Sequence, residues 1–240
     1  MTADAPPEDR TVGVMQPTYL PWLGWFDLMD QVDVFVVLDS VQFERHSWQH
    51  RNRIKGSQGE IMLTVPVKRT GLATTLAEAE ISEPKAVRRH LPTIAQSYAR
   101  APHMATARDR LEELYAAPGP SLLDVLLPLI DWLRAELGIE TPVVRSSTLD
   151  VSGHKDHLVR SICEAVSATG YLATAGSAGY MSQGDAFDDG AIEVRYHDYE
   201  PMPYPQLHGP FLPRLSALDA VMNLGPAARG TMISGRSVSA

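Results

Sequence analysis

The chain has 240 residues, of which 44% are apolar, and it carries a formal net charge of −8 at pH 7. This length suffices for one core with a substantial insertion, or for two small domains that share an interface. The acidic balance argues against duplex nucleic acid as a partner, because duplex affinity comes largely from cationic surface. The single cysteine, Cys163, excludes an intramolecular disulfide and fits a reducing cytoplasm.

No targeting or membrane segment is evident in the sequence. Residues 1–10 have neither the basic nor the apolar region of a signal peptide, and no apolar run approaches the roughly 20 residues of a membrane span. We therefore expect a cytoplasmic protein without a membrane span, whose first ten residues form a disordered tail.

The strongest strand and helix patterns lie in the first quarter of the chain. TVGVM at residues 11–15 predicts a buried strand, and VDVFVVL at 32–38 predicts a second one that is apolar on both faces, as in a parallel sheet. A rough helical stripe at 23–29 lies between them. This βαβ unit places residues 16–24 and 39–42 at the carboxyl ends of neighbouring strands, where open α/β sheets bind ligands.

The next segment is basic and aromatic, although the chain as a whole is acidic. It carries Arg45, Arg51, Arg53 and Lys55, with Trp48 and two histidines between them. We predict that Arg51, Arg53 and Lys55 bind one anionic small ligand, such as a phosphate, a nucleotide or a carboxylate, through charge-assisted hydrogen bonds. The alternative is a solvated basic loop.

The remaining patterns alternate between strands and helices around one long helical block. Strands are predicted at 61–67, 76–81, 142–147, 171–175 and 192–196, a helix at 155–169, and three helical segments at 84–138. We predict a Rossmann-like α/β fold with a mainly parallel sheet, formed by residues 11–82 and 140–200. The helical insertion at 84–138 would complete a single domain at 11–225 and would also serve as a lid, and residues 226–240 would form a frayed tail.

Two shorter patterns concern binding and capping. Gly176 and Ser177 follow the predicted strand at 171–175, so backbone N–H groups of this turn are candidates to hold an anion. Ser216 is placed to cap a short helix. Cys163 lies in a helical pattern, which favours a buried core thiol over a nucleophile.

Signatures of several other chemistries are weak or missing. His46 with His50, and His154 with His157, have helical spacing but no third ligand nearby, so we interpret them as surface histidines and predict no metal site. The chain contains neither the GxSxG elbow of serine hydrolases nor the GxGxxG turn of nicotinamide enzymes.

Seven strings, in order over roughly residues 11–225, carry a resemblance to a known family. They are MQPTYLPWLGWFDLM, DVFVVLDSVQF, SWQHRNRIK, LTVPV, LGI, GYMS and FLPRLSALDAVMNLG. On these strings the chain resembles the WbqC-like family of bacterial polysaccharide and natural-product gene clusters. It departs from the family pattern at Met15, where His is usual, and at His50, where Asn is usual.

The resemblance implies a transferase or ligase that forms an amide bond between an acyl or aminoacyl donor and an amine. More distantly, the opening order of elements is similar to that of carboxylate-adenylating nucleotidyltransferases. Trp22 and Trp25 stand where those enzymes have two histidines, and a lysine-rich KMSKS-like loop is not evident, so this similarity does not imply ATP use. The competing hypothesis is a non-catalytic ligand-binding or scaffold protein of the same pathway, which Met15 favours.

Within the amide-forming hypothesis, we assign roles to named residues. Asp39 is the candidate base if burial raises its pKa, with a turn-capping carboxylate as the alternative, and Gln16 is expected to orient a reacting polar group. The acyl donor is left open among a carrier-protein thioester, an aminoacyl-tRNA, coenzyme A and a free acid with ATP. The predicted ligand-binding residues are Gln42, Trp48, Arg51, Asn52, Arg53, Lys55, Lys155, Gly176, Ser177, Tyr180, Tyr204 and Gln206.

Overall fold

A computed structural model describes residues 9–69, 71, 73–181 and 183–236, without the side chain of Tyr180. The strands are β1 (Thr11–Met15), β2 (Val34–Val37), β3 (Arg51–Gly56), β4 (Gly59–Thr64), β5 (Val143–Arg145), β6 (Gly170–Thr174) and β7 (Glu193–His197). The helices are α1 (Leu23–Asp30), α2 (Pro84–Arg88), α3 (His90–Ser97), α4 (Met104–Ala116), α5 (Leu123–Glu136), α6 (Lys155–Ala165), α7 (Ala178–Met181), α8 (Ala217–Leu224) and α9 (Ala228–Ser234).

The central sheet has five parallel strands in the order β5-β2-β1-β6-β7. Numbered along the chain within this sheet, the order is 3-2-1-4-5, which is the order of Rossmann folds. The chain adds β2 and β5 on one side of β1 and then β6 and β7 on the other. The predicted Rossmann-like fold is confirmed, and its strand order reverses between β1 and β6.

Helices cover both faces of this sheet because its central strands are apolar on both sides. In β2, the side chains of Phe35 and Val37 join the larger apolar cluster, whereas Val36 between them joins the smaller one. This alternation follows from the two-residue period of a strand. The smaller cluster includes Cys163 of α6, which is fully buried, and burial raises the pKa of its thiol to about 12. The prediction of a core thiol is confirmed.

Strands β3 and β4 form a separate antiparallel hairpin, in which Arg51 pairs with Thr64 and Gly56 with Gly59. The main sheet, predicted to be formed by residues 11–82 and 140–200, therefore does not include this hairpin. Residues 76–81, predicted as a strand, form turns with isolated bridges instead. The second half of the basic segment, from Arg51 onward, is therefore a strand, and the strand geometry fixes the direction in which each of its cationic side chains points.

The helical insertion consists of α2 to α5, and its apolar stripe packs in the larger cluster. Leu126, Leu129 and Leu133 of α5 are buried there, as the helical period predicts. Gly138 ends this part with a φ of +63°, a conformation that glycine adopts without strain. Among the described helices, the longest has 14 residues, and none has the length and apolar composition needed to span a bilayer.

The C-terminal segment differs from the predicted frayed tail. Residues 228–234 form α9, which buries Ala228 and Met232. Arg236, just after the helix, donates hydrogen bonds to the carboxylates of Asp27 and Asp30 on α1. Long-range ion pairs hold this segment, and small, polar residues in sequence do not reveal such partners.

Candidate functional site

A cavity of about 690 Å³ lies at the carboxyl ends of β1, β6 and β7, and a second cavity of about 330 Å³ adjoins it. Both are lined by Met15, Thr18, Trp48, Thr174 and Gly176, so we treat them as one crevice. Its position follows from the topology. In doubly wound sheets the loops diverge where the strand order reverses, and a ligand-sized opening forms there.

Aromatic side chains form much of the wall of the crevice. The ring of Trp22 meets that of Tyr199 edge to face, with centroids 5.4 Å apart, and Trp48 is 47% exposed. A Cβ atom on Gly24 would lie 2.5 Å from ring carbons of Trp22, so glycine is what allows this indole to lie across the start of α1. An exposed aromatic ring such as that of Trp48 beside a cavity favours a ligand with a flat or apolar ring face.

Two arginines and two carboxylates of the lining supply charge. The Arg53 Nη1 atom donates to both carboxylate oxygens of Glu60 at 2.9 Å, and its Nη2 donates to the carbonyl of Arg214 at 3.4 Å. Arg214 is 3.9 Å from Glu200, which is a loose ion pair, and Asp198 also lines the cavity. The Arg53 Nε atom is buried without a hydrogen-bond partner among the described residues, so it retains an unused donor.

A histidine and a buried aspartate meet at the end of β7. His197 lines the larger cavity, and its Nε2 atom lies 2.8 Å from Oδ2 of the fully buried Asp27. Asp27 also accepts hydrogen bonds from Gln31 at 2.6 Å and from Arg236 at 2.5 Å. The imidazole ring stacks near Tyr199, with 11° between the ring planes. This is the arrangement in which a carboxylate orients a histidine at the edge of a cavity.

Comparison with known proteins decides the family. The profile of the WbqC-like protein family matches residues 16–231. The chain belongs to the WbqC-like family. It is also 32% identical over 222 residues to a protein of Mycobacterium tuberculosis (strain ATCC 25618 / H37Rv) described as "Uncharacterized protein Rv1507c". That match covers 91% of this chain and 96% of the relative. No solved structure matches the chain significantly.

Six of the residues predicted from sequence line the crevice: Gln16, Trp48, Asn52, Arg53, Gly176 and Ser177. The Gln16 Oε1 atom accepts a hydrogen bond from Gln49 at 2.8 Å, which fixes its orientation. Asn52 is largely committed to the protein, because it donates to the carbonyl of Leu20 at 2.7 Å and accepts from the N–H of Arg53 at 2.8 Å. Trp48 and Arg53 are the predicted residues best placed to meet a ligand.

Asp39 does not fit the role of a base. It is fully buried, and it does not line the crevice. Its carboxylate accepts hydrogen bonds from Arg145 Nε at 2.6 Å, from the Ser146 hydroxyl at 3.1 Å, and from the N–H and hydroxyl of Ser147 at 2.8 and 2.7 Å. Burial acts to raise the pKa of Asp39, but these hydrogen bonds outweigh it and lower the pKa from 3.8. The condition for the base role, a raised pKa, is therefore not met, and the geometry favours the structural alternative.

Lys55 is likewise a structural residue rather than an open cation. Its side chain is 1% exposed and donates to Gln206 Oε1 and to the Gly209 carbonyl, both at 3.1 Å, and also to the carbonyl of Pro210. Gln206 uses its other contacts on Leu212. A lysine that donates three hydrogen bonds has no proton left for a ligand. Lys55 and Gln206 therefore hold the loop before α8.

Tyr204 also points into the protein. Its hydroxyl donates to Asp219 at 2.8 Å, and burial, together with the nearby carboxylate, raises the pKa of Tyr204. Asp219 accepts a second hydrogen bond from Tyr98 at 2.9 Å. These buried groups satisfy one another, which leaves Tyr204 without a role at the crevice.

The other predicted ligand residues lie outside the crevice or outside the described part of the chain. Arg51 does not line either cavity and donates to the carbonyl of His46, and Gln42 is exposed, with its carbonyl accepting from Gln49 at 3.3 Å. Lys155 is an exposed residue at the start of α6. The side chain of Tyr180 is not among those described.

Sequence reasoning missed the far wall of the crevice. His197, Asp198, Tyr199 and Glu200 all line the larger cavity, and they directly follow a strand that the sequence predicts. Applying the carboxyl-end rule to that strand would have found them. No comparable sequence pattern indicates that Arg214 lines the crevice.

The insertion and the histidine pairs take no part in the crevice. None of the residues that line it comes from residues 84–138, so the expected lid is not seen in the described chain. The ligand atoms of Asp156, His157 and Asp185 lie within 4.8 Å of one another, but the last two are exposed and already 3.1 Å apart as a pair. This surface group gives no reason to place a metal there.

Proposed function

We propose that this protein is a biosynthetic transferase or ligase of a polysaccharide or natural-product pathway, and that it forms an amide bond between an acyl or aminoacyl donor and an amine. The family resemblance supports the type of pathway and reaction. The observation that carries the proposal is the crevice itself, a ligand-sized opening at the point where the strand order reverses.

The size and lining of the crevice suit two substrates of small-molecule size. Its two cavities measure about 690 and 330 Å³, within the range of ligand pockets. Arg53 and Arg214 are suited to a phosphate or carboxylate of the donor, and Trp48 to a ring of either substrate. Binding both reactants side by side would supply much of the rate enhancement of amide formation.

The acyl donor divides the proposal into cases. A thioester on coenzyme A, or on an acyl or peptidyl carrier protein, needs no nucleotide, and an aminoacyl-tRNA is a further activated donor. A free acid would need ATP. Trp22 lines the crevice and Trp25 donates its indole N–H to the Gln16 carbonyl at 3.0 Å, so the positions of the adenylating enzymes' histidines hold packed indoles. We therefore favour a pre-activated donor, used in the cytoplasm.

The experiment is a thermal-shift screen followed by product analysis. The panel contains ATP, coenzyme A and its thioesters, nucleotide sugars and amino acids. A ligand present at 100 times its Kd adds about 2.7 kcal/mol to the free energy of unfolding, which gives a clear rise in Tm. Ligands that stabilise the protein are then mixed as donor and acceptor pairs, and mass spectrometry detects the amide. Stabilisation by a donor and an amine with no amide from any pair would contradict the proposal.

A second candidate is a non-catalytic ligand-binding protein, and one observation favours it. Met15 lines both cavities at the end of β1, where the family pattern described above has a histidine, and a thioether cannot accept a proton at neutral pH. Binding without turnover in the same screen would select this candidate.

A further inference from the structure

The structure offers one candidate for proton transfer within the crevice. Among the described histidines, His197 is the one that lines either cavity. Its Nε2 atom is committed to Asp27 at 2.8 Å, while its Nδ1 atom makes no hydrogen bond with any described residue. A ring held through one nitrogen and open through the other has the geometry of a general base.

A structural role alone does not account for this arrangement. Asp27 already has the guanidinium group of Arg236 and the amide of Gln31 as partners, so its charge is compensated without the histidine. A histidine that only joined β7 to α1 would have no need to face a cavity. Asp27 is fully buried, and its contact fixes both the orientation of the imidazole and the nitrogen that carries the proton.

We infer that His197 is the catalytic base of the crevice, that Asp27 positions it, and that the acceptor is a primary amine. The inference rests on the proposed amide-forming function. The amine nitrogen attacks the carbonyl carbon of an acyl thioester, the C–N bond forms and the C–S bond breaks. Nδ1 of His197 takes the proton that the nitrogen loses, and this proton then passes to the departing sulfur. The products are an amide and a thiol, and the histidine returns to its starting state.

The first test needs no substrate. Two-bond ¹H–¹⁵N spectra of the imidazole nitrogens, recorded at alkaline pH, show which nitrogen carries the proton, and through-bond correlation to the backbone of His197 assigns the signal in the wild-type protein. We expect the proton on Nε2 and a free lone pair on Nδ1, with Asp27→Asn weakening that preference. A neutral ring protonated on Nδ1, or a ring that stays doubly protonated as a permanent ion pair with Asp27, would overturn the inference.

The second test is kinetic and uses aminoacyl thioesters of coenzyme A with a panel of amino sugars. For a pair that the wild type joins, His197→Gln should lower kcat by about 10²- to 10⁴-fold with KM nearly unchanged, and added imidazole should partly restore His197→Ala. Asp27→Asn should lower kcat in the same direction. His208→Gln is the control, because His208 bonds a backbone carbonyl at 2.8 Å and lies outside the crevice.

The two tests separate the inference from the function on which it rests. Unchanged kcat in a folded His197→Gln variant would refute the assignment of His197 as the base. Absence of amide from every pair with wild-type protein would refute the proposed function, while the spectra would still decide whether Nδ1 is free. A His197→Gln variant that fails to fold leaves the decision with the wild-type spectra.

Discussion

Two buried aspartates illustrate how neighbours decide the role of a carboxylate. Asp39 and Asp27 are both fully buried. Hydrogen bonds from Arg145, Ser146 and Ser147 occupy both oxygens of Asp39, and none of these donors lines the crevice. Asp27 instead holds a histidine that lines it. Position after a strand is therefore a weaker guide to chemistry than the set of donors around the group.

Asp39→Asn should reduce stability rather than turnover. The amide cannot accept all the hydrogen bonds that the carboxylate accepts, so we expect a loss of about 1–3 kcal/mol in the free energy of unfolding. The pKa of Asp39 is lower in the folded protein, so its contribution is fully present above its ordinary pKa of 3.8 and disappears as the pH falls through the folded value. Chemical denaturation of both proteins across this pH range measures the difference. A variant of wild-type stability with reduced kcat would restore Asp39 as a base.

Arg53 and Arg51 form a matched pair on one strand. Arg53 lines the crevice, whereas Arg51 does not and donates to the His46 carbonyl. Arg53→Ala should weaken the binding of an anionic ligand by about 10- to 100-fold, which corresponds to the loss of one charged hydrogen bond. The partly exposed ion pair with Glu60 should contribute less than about 1 kcal/mol to stability. Calorimetric titration of Arg51→Ala provides the control, and equal losses in the two variants would contradict the assignment.

At the level of elements, hydrophobic periodicity correctly predicted the strands and helices whose formation depends on neighbouring residues in the sequence. The β1-α1-β2 unit, the stripe of α5 and the Ser216 cap of α8 follow from residues within one element, and the structure confirms them. Strand β3 and helix α9 were missed for different reasons. β3 pairs with the neighbouring β4, but its alternating cations, Arg51, Arg53 and Lys55, were interpreted as a ligand-binding segment rather than a strand. Helix α9 is held through Arg236, which pairs with Asp27 and Asp30, far away in sequence. Such pairings leave no periodic trace.

The C-terminal element should contribute measurably to stability through Arg236. Arg236→Ala removes the guanidinium group from Asp27 and Asp30, which are buried or nearly so, and we expect a loss of roughly 2–4 kcal/mol. Arg110→Ala serves as a control, since its pair with Glu113 on α4 is exposed and should contribute less than about 0.5 kcal/mol. Urea unfolding compares the two. If Arg236→Ala were as stable as Arg110→Ala, the apolar contacts of α9 alone would hold this segment.

At the level of the whole molecule, strand order decides where the site lies. The sequence predicted a ligand crevice at the carboxyl ends of the strands, and this is where the cavities are found. The sequence pattern indicated a crevice between the ends of β1 and β2, whereas the cavities open between the ends of β1 and β6. Strand order arises from contacts between residues far apart in sequence, such as Val12 with Tyr171 and Phe35 with Val143, which a single sequence does not show. The predicted ligand-binding residues in the Gly176 turn consequently line the crevice, and those around Asp39 do not.

The ligand affinity of a variant with a filled crevice tests most directly whether this crevice is the functional site. Gly176 lines both cavities, and a Cβ atom there has no neighbour closer than 4.0 Å, so Gly176→Phe should fold normally and occupy the opening. Gly179→Phe, in the neighbouring helix α7 and outside the cavities, is the control, with no atom of the described residues within 4 Å of its Cβ. Calorimetric titration with the best ligand of the thermal-shift panel should show no binding to Gly176→Phe and wild-type affinity for Gly179→Phe. Wild-type affinity of a folded Gly176→Phe variant would contradict the central claim that this crevice is the functional site.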